Sequence, residues 1–145
     1  LKKNEEKMDN NSYDKTKHLE MIQGIINRLS GKSTSVKGWC ITLMSALLIF
    51  SERSKDFRIY FILIIALPLI SFYFLDTFYL IMERRYRDLY EEVRTGRKKD
   101  YDLKIERKVS KYDYNEVLKG TTQKWFYIPT ITILALIIIF YGLGI

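Results

Sequence analysis

The chain has 145 residues, a mean hydropathy of −0.12 and a formal net charge of +7. This length admits one compact unit. The near-neutral average conceals apolar residues gathered into three blocks with the charges between them, a pattern foreign to soluble domains and native to integral membrane proteins. The single cysteine, Cys40, excludes an intrachain disulfide and reads as a small buried thiol.

Residues 1–35 form the first segment. Leu1 to Lys17 is polar and charged, so a signal peptide is not expected there and the first apolar block becomes the membrane-targeting element. From about Asp14 to Ser30 the apolar residues Leu19, Ile22, Ile26 and Leu29 are spaced 3, 4 and 3 apart, the seam of an amphipathic helix. Ser30-Gly31-Lys32-Ser33-Thr34-Ser35 interrupts that seam and is expected to stop or kink the helix at the membrane surface. Its Gly31-Lys32-Ser33-Thr34 resembles the end of a phosphate-binding loop. That loop requires a glycine five positions earlier, where Ile26 stands, so the stretch reads as a membrane-entry turn.

Residues 36–82 are expected to be a transmembrane hairpin. Val36 to Ser51 is a short apolar block and Ile59 to Met82 a long one, separated by the charged turn Glu52-Arg53-Ser54-Lys55-Asp56. A turn centred near Ser54 makes antiparallel neighbours sum to about 108, which sets Leu19 near Leu89, Ile22 near Tyr86, Ile26 near Met82 and Asp76 beside Lys32. Pro68 should kink the second block. Gly38, Thr42 and Ala46 form a small-residue stripe that reads first as packing against the second span and otherwise as a self-association face.

Residues 83–123 return to polar character. Met82, Tyr86, Leu89 and Val93 make a second seam, with Arg84–Asp88 and Arg87–Glu91 as candidate pairs and Gly96 as the helix stop. The basic run ending in Arg97, Lys98 and Lys99 is expected to contact anionic lipid headgroups, with nucleic acid the weaker reading. Tyr101 to Glu106 reads as an extended connector, and Tyr112 to Lys119 as a short helix on the membrane surface. Residues 124–145 hold the third span, which is free of charge from Trp125 onward and carries Pro129 early, where a missing amide costs least.

Orientation follows from Lys and Arg. Of the 24, 8 lie in residues 1–37, 13 in 83–124 and 3 in 51–58. The first two groups share one side, so the N-terminus is expected inside and the C-terminus outside. Trp39, Trp125 and Tyr127 would anchor the inner interface, Tyr60 and Tyr141 the outer one.

The fold class expected is therefore all-α, with three transmembrane helices and a hairpin extended as a cytoplasmic antiparallel helix pair. Asp76 is the one charge well inside an apolar block, and a carboxylate there signals a gating or ion-path role or a structural pairing with Lys32 or Lys37. His18 is solitary, no residues stand at metal-ligand spacing, and no nucleophile has a base beside it. Neither catalysis, a metal nor a cofactor is implied.

His18-Leu19-Glu20-Met21-Ile22-Gln23 with Ile26-Asn27-Arg28, then Lys37-Gly38-Trp39 with Thr42-Leu43, Leu75-Asp76, Tyr79-Leu80, Glu83-Arg84 and Leu89-Tyr90 together resemble a widespread family of small bacterial multi-pass membrane proteins with no established activity. The resemblance covers most of the chain to about position 95 and includes a third span near the end. It implies a bacterial cytoplasmic membrane. Its residues Gln23, Asn27, Arg28, Trp39, Asp76 and Glu83 are expected around the cytoplasmic mouth of the hairpin. In architecture the chain is also similar to small membrane effectors of anti-phage defence. The function expected is a homo-oligomer that permeabilises or conducts ions across the membrane under control of its cytoplasmic helices and a cytoplasmic protein or signal. The other reading is a membrane anchor or adaptor that recruits a cytoplasmic partner through its hairpin.

Overall fold

The computed structural model describes the backbone of residues 2–51, 58–98, 100, 102–105 and 117–143, and within these the side chains of 14–50, 64–98, 100, 102–105, 117–137 and 139. All regular structure among them is helical: α1, Lys2–Ser51; α2, Arg58–Arg94; and α3, Thr121–Leu143. Two stretches, Asp14–Phe50 in α1 and Ile64–Arg94 in α2, are long and apolar enough to cross a membrane. At 1.5 Å per residue, α1 runs for about 75 Å and α2 for about 55 Å, well beyond the roughly 30 Å of a hydrocarbon core.

The largest departure from expectation is the continuity of α1. The Ser30–Ser35 run does not stop the helix, which passes through it unbroken. The Thr34 and Ser35 hydroxyls bond back to the carbonyls of Ser30 and Gly31, at 3.1 and 2.9 Å. Such back-bonding satisfies the hydroxyls without interrupting the helix, although it slightly destabilises it, so the continuity rests on packing against α2 rather than on local propensity. Nor does Pro68 break α2. It leaves one amide absent from a ladder that is otherwise continuous from Arg58 to Arg94. At the other end α2 does stop where glycine predicts. Arg94 is its last residue, Gly96 has φ +74°, and the amides of Thr95, Gly96 and Arg97 close back onto Glu91, Val93 and Glu92. Only glycine enters that region without cost.

α1 and α2 pack side by side over much of their length, with partner numbers on α2 falling as those on α1 rise. One cluster buries Ile22, Ile26, Leu89 and Val93, flanked by Leu19, Tyr86 and Tyr90. Leu103, in the extended segment after α2, covers it. The second buries Cys40, Met44, Ile65, Leu69 and Tyr127, with Leu47, Leu48, Phe72, Tyr73, Phe126 and Leu134 around it. Cys40 is thus the buried thiol its surroundings suggested. α3 joins only this second cluster.

The face that α1 turns inward runs through Ile22, Ile26, Ser33, Val36, Cys40 and Met44. The small-residue stripe therefore does not pack against α2. Gly38 and Thr42 are exposed and only Ala46 is half-buried. A Cβ added at Gly24, Gly31 or Gly38 would meet nothing within 4 Å. Gly31, Ser35, Gly38, Thr42 and Ser45, spaced 4, 3, 4 and 3, form one exposed, nearly flat strip. The reason is competition for burial: the larger Val36, Cys40 and Met44 gain more from the single interface with α2.

Helix-surface ion pairs also differ from expectation. Glu83, not Glu91, takes Arg87, at 2.7 Å, and Glu91 takes Arg94, also at 2.7 Å. An acid N-terminal to its base opposes the helix dipole least, so Glu83–Arg87 is the better order than Arg87–Glu91. The turn residues 52–57 and most of the expected 112–119 helix lie outside the described residues. Of that helix 117–119 are described, 117 and 118 helical and 119 in a turn.

Candidate functional site

Between the two apolar clusters all three helices contribute polar side chains to one buried group. Asp76 of α2 is fully buried. Its Oδ1 accepts from the Ser33 hydroxyl of α1 and, at 2.7 Å, from Lys37 Nζ, which also stands 2.6 Å from Oδ2. Lys37 Nζ donates as well to Ser33 Oγ at 2.9 Å, closing a triangle of aspartate, lysine and serine. The lysine side chain is 16% exposed, so the pair is partly shielded on the lysine side and fully buried on the aspartate side. It also lies 5.8 Å from the centre of the Phe126 ring of α3, within cation–π range.

Helix geometry explains the grouping. Ser33 and Lys37 are one turn apart on α1, so both side chains lie on the strip facing α2. The antiparallel register sets that strip opposite Asp76. Of the two expected partners, Lys37 pairs with Asp76, whereas Lys32 is one residue off this face and is exposed. The antiparallel sum of about 108 thus locates the level, while the 100° step between consecutive helical residues selects Ser33 and Lys37.

The neighbouring Thr77 links this triangle to α3. Its hydroxyl donates to the Tyr73 carbonyl at 2.8 Å and accepts from Gln123 Nε2 at 3.0 Å. Gln123 is 1% exposed, and its Oε1 has no hydrogen-bond partner among the described residues. Tyr127, one turn further along α3, was expected at the interface. It is instead 3% exposed, edge-on to Tyr73 and Phe126, with its hydroxyl in electrostatic reach of Asp76 and without a hydrogen bond of normal geometry. The Tyr73 hydroxyl donates to the Leu118 carbonyl at 2.7 Å and so holds the chain just before α3. A buried polar atom left without a partner costs about 1–3 kcal/mol. Gln123 Oε1 and the Tyr127 hydroxyl therefore set this level apart from the apolar packing on either side.

The other expected site residues do not gather here. Gln23 Nε2 donates to Asn27 Oδ1 at 3.1 Å on the exposed side of α1. Arg28 is exposed, and Trp39 and Trp125 are 70% and 78% exposed. Glu83 is engaged with Arg87 in its own helix. In the basic run, Lys98 Nζ donates to the Lys104 carbonyl at 3.3 Å and stands 3.8 Å from Asp100. Arg97 Nε donates to Thr95 Oγ1 at 3.1 Å, and Lys99 lies outside the described residues. His18 is buried on the inward face of α1. Among the described residues no three His, Cys, Asp or Glu side chains stand together as a metal site.

Ser33, Thr77, Gln123 and Tyr127 were missed by sequence reasoning. Ser33 sat in the run read as a turn. The antiparallel sum applied to Asp76 points within one residue of it, and that was the available signal. Gln123 and Tyr127 belong to a helix whose register against α2 no short-range pattern encodes. No protein-family model, curated protein or solved structure matches this chain, so the reading of its site rests on the geometry alone.

Proposed function

We propose that this chain is a three-span protein of the bacterial cytoplasmic membrane, N-terminus inside and C-terminus outside, whose copies associate and pass ions. The buried Asp76–Lys37 pair acts as the latch of the resting state. The observation that carries this reading is the pair itself. An ion pair inside an apolar bundle adds little stability over well-packed apolar residues and is expensive to break. Ionisable groups within membrane segments accordingly mark function.

The first two spans form the hairpin, and the excess length of α1 and α2 continues it into the cytoplasm as a helix pair. Because α1 crosses the surface without a break, a partner or signal acting on the Ile22–Leu89 end is mechanically joined to Lys37 and Ser33. Three helices are too few to enclose a path, so conduction requires several copies. The exposed strip from Gly31 to Ser45 supports their contact, since small residues let membrane helices approach closely. Asp76 faces away from that strip. It therefore gates rather than lines the path. Catalysis plays no part in this reading.

Induced expression with a membrane-potential dye tests it. Wild type is expected to depolarise cells on induction, and Asp76→Asn to depolarise more at equal expression because the latch is loosened. Gly38→Leu is expected to abolish the effect by separating the copies. Cells that stay polarised with wild type and Asp76→Asn alike would end this reading. The anchor or adaptor alternative is favoured by one feature, the rigid paired end with its exposed mixed-charge surface. Its sign would be a soluble protein that co-purifies with wild type and is lost when residues 14–30 are truncated.

A further inference from the structure

Between α2 and α3 a groove of about 240 Å³ opens beside the polar group. Its walls are apolar, with Leu69 and Ile70 on α2 and Ile128 and Ile131 on α3. Ile70, Ile128 and Ile131 are about half exposed, at 55%, 56% and 51%, so the groove opens outward along the bundle rather than into its centre. One end is polar, formed by Gln123 and Lys124. A closed pocket for a compact ligand measures roughly 300–1,000 Å³. This smaller, open trough suits a single flexible hydrocarbon chain.

The polar end identifies what the chain is attached to. Gln123 is buried, and its amide is oriented by the bond to Thr77, whose own proton is committed to the Tyr73 carbonyl. That orientation leaves Oε1 a buried acceptor without a partner among the described residues, on a residue that lines the groove, where a donor entering from the groove would satisfy it. Lys124 beside it is exposed, as is Lys119 just before the helix. The first amides of α3, at Thr121 and Thr122, add positive potential to the same end. An anion, a hydrogen-bond donor and a hydrocarbon chain are thus wanted within one site.

We propose that the α2–α3 groove binds one anionic glycerophospholipid of the phosphatidylglycerol type. One acyl chain lies along Leu69, Ile70, Ile128 and Ile131, the phosphate meets Lys124, and a headgroup hydroxyl donates to Gln123 Oε1. The basic end of the groove adjoins the 83–124 segment, which carries 13 of the 24 Lys and Arg residues and on the reading above faces the cytoplasm. The lipid comes from that leaflet. Through Gln123 and Thr77 it would touch the residue next to Asp76, which gives membrane composition a route to the polar group. This inference rests on the membrane placement proposed above and not on ion flux.

Carbonate extraction of membranes from expressing cells is the first step. A chain that washes off overturns the membrane placement, and this proposal with it. For the retained protein, native mass spectrometry of the full chain in detergent follows, with phosphatidylglycerol, phosphatidylethanolamine or phosphatidylcholine added at equal concentration. The expected result is one retained phosphatidylglycerol per chain, held about tenfold better than phosphatidylcholine, as one charge-assisted hydrogen bond allows. Lys124→Gln and Gln123→Leu should each erase most of that preference. Ile131→Trp should fill the groove and remove retention of all three lipids. Arg28→Gln, an exposed position on α1 away from the groove, should leave the preference intact and so serves as the folded control. Equal retention of phosphatidylglycerol and either other lipid overturns the proposal. So does a preference untouched by Lys124→Gln, or a lipid-free dimer that Ile131→Trp splits, which would mean that a second copy fills the groove.

Discussion

The α1–α2 pair and the attachment of α3 are built on different physics. α1 and α2 meet through two apolar clusters set far apart along their length, from Ile22 and Val93 at one end to Met44 and Ile65 at the other. α3 reaches the pair through Tyr127, Phe126 and Leu134, and otherwise through polar contacts, Gln123 to Thr77 and the Leu118 carbonyl to Tyr73. Apolar contacts along a long interface are redundant, because each carries a share of the burial and none is indispensable. Polar contacts in a dry setting are not, because each loss leaves a group without a partner. The region most sensitive to single substitutions should therefore be the Asp76 level, where the two kinds of packing meet.

Breaking the ion pair should give the largest effect. Asp76→Ala leaves the partly shielded Lys37 ammonium without its counter-charge and should cost about 3–5 kcal/mol, read as a fall in thermal stability in detergent. The paired change Lys37→Met with Asp76→Leu should recover most of that loss. Failure to recover it would mean that the charge itself, and not shape, holds the level together. Next comes Ile22→Ala in the Ile22–Leu89 cluster, expected to cost about 2–4 kcal/mol. Faster hydrogen exchange should then be confined to the α1 and α2 segments around Ile22 and Leu89, with α3 unchanged. Spread of the effect to residues 121–128 would contradict the separation drawn here. Thr77→Val should be smallest, about 1 kcal/mol, and should act in reverse, with exchange rising at the start of α3 while the Ile22–Leu89 end stays protected.

Much of the α1–α2 pairing was legible because it is local twice over. Leu19, Ile22 and Ile26 declare one helical face by their spacing, and Tyr86, Leu89 and Val93 declare another. A single connecting turn relates the two by a constant sum. Asp76 declared itself by its cost in apolar surroundings. The failures have an equally specific cause. The Ser30–Ser35 run was read by its propensity for turns, yet its hydroxyls bond back to Ser30 and Gly31 without interrupting the helix, and packing against α2 around the buried Ser33 holds it helical. Gly38 and Thr42 were assigned to the α2 interface because small residues suit it, but α1 has two faces and the heavier side chains took the inner one.

The sequence by itself determined that the chain is helical and membrane-like in its patterning, which residues form the apolar seams of α1 and α2, and that Asp76 needs a partner. Hydrophobic period and the energetic cost of a dry charge are written residue by residue, so both can be read without coordinates. Only the tertiary structure decided that Asp76 meets Ser33 and Lys37 rather than Lys32, that the small-residue strip faces outward, and that Gln123 and Tyr127 belong to the same polar level. Those choices depend on the rotation of each helix about its axis and on the register of α3. Both are fixed by packing between segments distant in sequence.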